Sequence, residues 1–277
     1  MKAALRTTRP GIPVRVALRL FIGLRVPRAS AHNARMNPSG APAAGFHSTQ
    51  WSVVLAARSD PASRRAALEQ LCRNYWPPVY SYLRRRGHSP ADAEDTTQAF
   101  FAHLLGGDFF DRPDPERGRF RGYLVGALRQ FVSHEQAHAG AHKRGGGVTF
   151  VDFSNLDTER EYAAVDHAQL DPSEAYELSW AVTLLGAAMR RLEAEQRAAG
   201  SAEAFVALQP MLHSPPAAGD YERASAALGT SRATIAVWLH RLTRRLAELV
   251  KLEVAATLEN PADAGQELQH LLQVFRR

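Results

Sequence analysis

The segment YERASAALGTSRATIAVWLHRLTRRL, Tyr221 to Leu246, places the tightest constraint on how this chain folds. It holds two apolar patterns of helical spacing separated by Gly229. Two helices that cross steeply need a small side chain in the first, a glycine four positions on at the turn, and a branched apolar side chain six further on. Ser225, Gly229 and Ile235 stand at those places, and Ser231 is positioned to cap the second helix. The spacing predicts a helix-turn-helix. Its second helix suits a DNA major groove, with Arg232 and Thr234 near its start facing base edges. Arg241, Arg244 and Arg245 are placed to reach phosphates, each contact adding roughly one unit to the salt slope. An ordinary helical hairpin with a solvated basic face has the same pattern.

Helical signals recur along the rest of the chain, and strand signals are scarce. Ser48 or Thr49 can cap a short helix through Trp51, Val54 and Leu55. Pro61 opens a helix that places Ala67, Leu68, Leu71, Cys72 and Tyr75 at helical spacing. Pro77 and Pro78 are read as its break, with a second helix from Pro78 to Arg86 capped by Gly87. Ser89-Pro90-Ala91-Asp92 marks a further start, with Asp92, Glu94 and Asp95 complementing the helix dipole, and that helix runs to Leu105. After a loop from Asp111 to Gly118, a helix from Arg119 to about Lys143 carries an apolar stripe of Phe120, Leu124, Ala127, Leu128 and Phe131. Helices return from about Ser173 to Arg197, Ala202 to Leu212, Tyr221 to Leu228 and Arg232 to about Ala255. A last amphipathic helix uses Leu268, Leu271, Leu272 and Phe275. The expected fold class is all-α, with two small helical domains joined by a flexible linker. The expected boundaries are 1–45 for a basic leader, 46–146 and 173–255 for the two domains, 147–172 for an acidic linker, and 256–277 for a C-terminal helical extension.

Charge is unevenly spread. The formal net charge is +6, and eight basic residues with no acid in residues 1–45 leave −2 for the remainder. The high isoelectric point therefore says little about the folded part, and any nucleic-acid argument rests on local patches. Within the leader, Val14 to Val26 is too short and too charged to span a bilayer and lacks a clean signal-peptide core, so no membrane insertion is expected. It has the acid-free, Arg-rich character of a transit peptide; the plainer reading takes Met36 as the start and the leader as disordered or mis-assigned. Cys72, the one cysteine, excludes an internal disulfide and a Cys-rich zinc module and is read as a core residue. From Asp152 to Glu177 there are eight acids and one Arg, a composition that is solvated or mimics nucleic acid.

Two further segments bear on chemistry. RGRFRGYLVGALRQFVSHEQAHAGAHKRGG, Arg117 to Gly146, mixes basic residues with Phe120, Tyr123 and Phe131. Cations follow a phosphate backbone and rings stack on unpaired bases, which together suit holding one strand of an opened duplex; a core helix with a charged outer face fits equally. Within it, His134-Glu135-Gln136-Ala137-His138 has the H-E-x-x-H spacing of a zinc peptidase helix. The longer form of that pattern needs Gly where Ala141 stands, and its third ligand position holds the cation Arg144. Coincidence is the preferred reading, so no metal, no cofactor and no catalytic residue is expected.

Taken together, SPADAEDTTQAFFAHLL (Ser89 to Leu105), FRGYLVGALRQF (Phe120 to Phe131) and YERASAALGTSRATIAVWLHRL resemble three parts of the sigma-70 family of bacterial sigma factors, in its short, extracytoplasmic-function-like group. These correspond to the region 2 helix that docks on the polymerase clamp, the helix that recognises the −10 element, and the region 4 helix-turn-helix that reads the −35 element. The likeness covers about residues 46 to 255. It implies that Asp92, Glu94, Asp95, Gln98 and Phe101 face the polymerase core. Arg121, Tyr123, Arg129 and Gln130 then face the −10 strand, and Ser231, Arg232, Thr234, His240, Arg241 and Arg244 face −35 DNA. Tyr123 stands where the family often has Trp, and Ala236 and Trp238 stand where it often has basic residues, so no −35 preference carries over. The resemblance implies a non-enzymatic, cytoplasmic factor that directs RNA polymerase core to promoter DNA and starts transcription, with an anti-sigma factor as a further partner. The rival readings are a helix-turn-helix regulator that never binds polymerase and, less favoured, the zinc peptidase.

Overall fold

A computed structural model describes residues 61–106, 120–138, 158–163, 169–214, 216–258 and 260–276. The leader, the short helix expected near Trp51, the Asp111–Gly118 loop and most of the acidic linker lie outside the described residues. The described chain is all-α: α1 (Pro61–Arg85), α2 (Pro90–Gly106), α3 (Phe120–His138), α4 (Thr158–Ala163), α5 (Pro172–Ala198), α6 (Ala202–His213), α7 (Asp220–Leu228), α8 (Arg232–Ala255), a 3-10 turn (Pro261–Asp263) and α9 (Ala264–Arg276).

The expected break at Pro77 and Pro78 does not occur, and α1 runs through both prolines to Arg85. A proline inside a helix costs about 3 kcal/mol or more by removing a hydrogen bond and crowding the preceding turn. The carbonyls deprived of partners, four residues back, belong to Arg73 and Asn74, the positions of this stretch that reach solvent. Against that cost, Tyr75, Trp76, Val79, Tyr80, Tyr82 and Leu83 are all buried, at roughly 1.5–3 kcal/mol for each large apolar side chain. The packing outweighs the local preference, and α1 becomes a central helix that is apolar on nearly every side.

Local signals set the other ends. Gly87 takes a φ of 95° just past α1, and the His88 amide donates back to the Leu83 carbonyl at 3.2 Å, closing a Schellman turn. Ser89 Oγ accepts the Asp92 amide at 3.1 Å to cap α2. Two acids of the acidic run serve the start of α5. Asp171 accepts from the Ser173 and Glu174 amides, and Glu174 reaches back to the Asp171 amide at 3.0 Å in a capping box, with Pro172 in the first turn. Another acid of that run is anchored through α4. Glu159 lies 3.0 Å from Arg84 Nε and accepts from the Tyr80 hydroxyl at 2.5 Å, while Tyr162 sits beneath the Arg84 guanidinium. Partial burial works against the Glu159 carboxylate, but the Arg84 and Tyr80 hydrogen bonds and the Arg84 charge outweigh it and hold its pKa below the usual value.

α1, α2 and α3 meet through rings. Tyr75 contacts Phe120 edge-on, Trp76 stacks on Phe101, and Phe100 lies against Phe131. Cys72 is buried here, its thiol pKa pushed up to about 12 by burial and by Glu69, which makes it an inert core residue as expected. α5 is the element both halves share. Its first turns carry Tyr176, Glu177 and Trp180 against α1 and α3. Its last turns tie to α8, with Glu195 accepting two bonds from Arg245 at 2.8 Å and Arg191 lying 3.6 Å from Glu253. One contiguous core runs from Leu71 to Leu271.

Candidate polymerase and nucleic-acid interface

The two helices and the turn at Gly229 expected from the spacing are present as α7 and α8. Gly229 ends α7 with φ 60°, and its amide and that of Thr230 both donate to the Ser225 carbonyl. The Ser225 hydroxyl donates to the Thr230 carbonyl, which explains the small polar side chain at that place. Ser231 Oγ accepts the Thr234 amide at 3.1 Å and meets the Thr234 hydroxyl at 2.9 Å, capping α8. Ile235 is fully buried, as the crossing requires, and Leu239, Leu242, Leu246 and Leu249 continue its stripe.

The opposite face of α8 is open. Ser231, Arg232, His240, Arg241 and Arg244 are exposed, and Thr234 is half-buried beside the cap. Arg232 lies 3.1 Å from Glu222 and over the Tyr221 ring, and Arg244 lies 3.5 Å from Glu248. Such exposed pairs are worth about 0–1 kcal/mol and yield readily to a phosphate. Arg245 differs from the expectation. It is held by Glu195 and Glu248, whose hydrogen bonds raise its pKa, so it ties α8 to α5 instead of facing outward. Trp238 packs against the core, whereas Ala236 is exposed.

The α2 residues divide. Asp92, Glu94 and Asp95 are exposed and Gln98 is half-buried, giving an acidic outward face. Phe101 does not belong to it. This ring is 6% exposed and lies parallel to Trp76 at 5.7 Å, a core contact that takes it away from any partner.

The α3 residues divide more sharply. Arg129 and Gln130 are exposed, and Arg129 donates to the Ser173 hydroxyl at the start of α5. Tyr123 is half-buried against the core. Arg121 is 3% exposed. Its Nε donates to Glu177 at 2.7 Å, its Nη1 pairs with Glu267, and its guanidinium lies 4.5 Å from the Trp180 ring centroid. Burial penalises that charge, but the two glutamates outweigh the penalty and its pKa stays raised. In this arrangement Arg121 faces two carboxylates, not DNA. Glu177, Trp180 and Glu267 join this site from outside the motifs that the sequence marks. A signal existed for Glu267, a lone acid sharing the stripe of Ala264, Leu268 and Leu271, all of which are buried. His134 and Glu135 lie exposed near the end of α3, and the His138 side chain lies outside the described residues.

Residues 71–136, which span most of α1 and all of α2 and run through α3 nearly to its end, match the family model for sigma-70 region 2. This segment is similar to region 2 of sigma-70 factors. No curated protein and no solved structure matches it. The matched segment holds both the acidic face of α2 and the basic helix α3, while α5 to α9 lie beyond it. No helix among the described residues is long and apolar enough to cross a membrane.

Proposed function

We propose that this chain is a sigma factor of the extracytoplasmic-function type, which brings RNA polymerase core to promoters by recognising −10 and −35 elements. One observation carries the reading. The same chain joins a sigma-70 region 2, with Asp92, Glu94 and Asp95 turned outward, to a capped helix-turn-helix whose second helix turns Arg232, His240, Arg241 and Arg244 outward. The acidic face of α2 docks on the polymerase. α3 supplies the cations and rings that hold one strand of the −10 element, and α8 enters the major groove at the −35 element.

No chemistry is asked of the chain itself, since phosphodiester synthesis belongs to the polymerase. The factor acts in the cytoplasm, where the polymerase is, and contributes binding energy. Specific sites outcompete other DNA by roughly 4–10 kcal/mol. A few base contacts worth roughly 1–3 kcal/mol each, added to the polymerase interface, reach that figure.

Capture by immobilised core polymerase tests the reading. The wild-type chain is expected to co-elute with core, and Asp95→Arg, exposed and outside the hydrophobic core, is expected to lose capture while remaining folded. A chain that binds duplex DNA yet is never retained by core would instead be a regulator that works apart from polymerase.

A further inference from the structure

The face of α3 that should take a DNA strand is already occupied. Arg121 pairs with Glu177 of α5 and Glu267 of α9, and Arg129 donates to Ser173 of α5. All three partners lie beyond the segment that matches region 2. Glu267 is 1% exposed, so α9 is seated firmly enough to bury a carboxylate against the guanidinium. Leu268 and Leu271 anchor the same helix in the core. Two carboxylates on one guanidinium offer what two phosphate oxygens would, and Trp180 fills the guanidinium face on which a base would stack. A phosphate cannot reach Arg121 until these groups leave.

We propose that α9, together with the first turns of α5, closes over the strand-capturing face of α3 as an internal substitute for the DNA strand, so that the free chain is held off single-stranded DNA until α9 is displaced. This rests on the reading of α3 as the −10 helix. The latch is set by charge as well as by packing. Removing one of its two carboxylates weakens the hold on Arg121, while Glu177 still keeps that arginine from being orphaned.

The test uses the full-length chain and a fluorescein-labelled single-stranded oligonucleotide of random sequence, with binding followed by anisotropy at several salt concentrations. Glu267→Gln is expected to bind at least tenfold more tightly than wild type, with a salt slope steeper by about 0.7 for the one phosphate gained. Arg121→Gln added to Glu267→Gln is expected to cancel the gain. Because a buried substitution can loosen the fold, hydrogen exchange is also measured on the wild-type chain. Amides of residues 264–271 are expected to exchange faster when the oligonucleotide is saturating. Equal binding by wild type and a folded Glu267→Gln, or unchanged exchange in α9 with DNA bound, would overturn the latch. Retention by core polymerase, measured in parallel, separates the two ideas. Core capture without any effect of Glu267→Gln removes the latch alone, whereas loss of core capture with the gain intact removes the sigma assignment and leaves α3 as a covered single-strand-binding helix outside promoter recognition.

Discussion

Arg121 in α3 is 3% exposed and matched by Glu177 and Glu267, whereas Arg232 and Arg244 in α8 are 70% and 78% exposed with loose surface partners. Both helices carry arginines beside aromatic side chains, and either would be read as a nucleic-acid helix from sequence. What separates them is what the rest of the chain lays on top. The outward arginines of α8 meet only nearby groups among the described contacts, Glu222 and Tyr221 of α7 and Glu248 of α8 itself. α3 lies beneath α5 and α9, which supply carboxylates from 56 residues away and from the C-terminal helix. A basic helix is thus available or closed depending on where distant acids land, not on its own composition.

The largest expected effect that breaks this contrast is in stability. Arg121→Ala leaves Glu177 and Glu267 facing each other without a cation, and breaking a buried pair in this way costs about 3–5 kcal/mol. Arg241→Ala, on the open face of α8, is expected to change stability by no more than about 0.5 kcal/mol while weakening duplex DNA binding. Urea unfolding of both variants measures the difference, and equal costs would erase the distinction between the two helices. A smaller effect sharpens the α8 side. Gly229→Ala forces a Cβ into a φ of 60°, at roughly 1–2 kcal/mol, and Ser231→Ala removes the α8 cap at roughly 1 kcal/mol. Both are expected to lower the midpoint of thermal unfolding and to reduce duplex DNA affinity.

The smallest effect concerns pH. Arg245 hydrogen bonds, opposed by partial burial and aided by the Arg245 and Arg191 charges, hold Glu195 below its ordinary 4.5. The folded chain therefore binds fewer protons at this group than the unfolded chain does. Its contribution is complete above about pH 4.5 and is lost as the pH falls through the lower folded value. A stability-against-pH series is expected to show a shallower acid limb for Glu195→Gln than for wild type.

Much of this architecture was legible from local chemistry. The α8 cap at Ser231, the turn at Gly229 and the buried Ile235 follow from side-chain size and hydrogen-bonding capacity within a few residues, and the structure places each as expected. The end of α1 at Gly87 and the start of α2 at Ser89 follow in the same way. The misreadings share one cause, long-range packing. Pro77 and Pro78 read as a break because their cost is local, while the burial that offsets it comes from other helices. Phe101 read as a docking residue because α2 alone does not reveal Trp76. Arg245 read as an outward phosphate contact because Glu195 lies far away in sequence, and the cover over Arg121 went unseen because Glu267 is equally distant and Glu177 was taken as part of a solvated run.

Transcription reconstituted from core polymerase, this chain and a pool of promoter-length DNA templates of random sequence, with the transcripts counted by sequencing, decides whether the chain directs initiation. Initiation well above that of core alone, from templates sharing two spaced elements upstream of the start and abolished by Asp95→Arg, is the expected result. Transcripts identical in number and origin with and without the chain would contradict it.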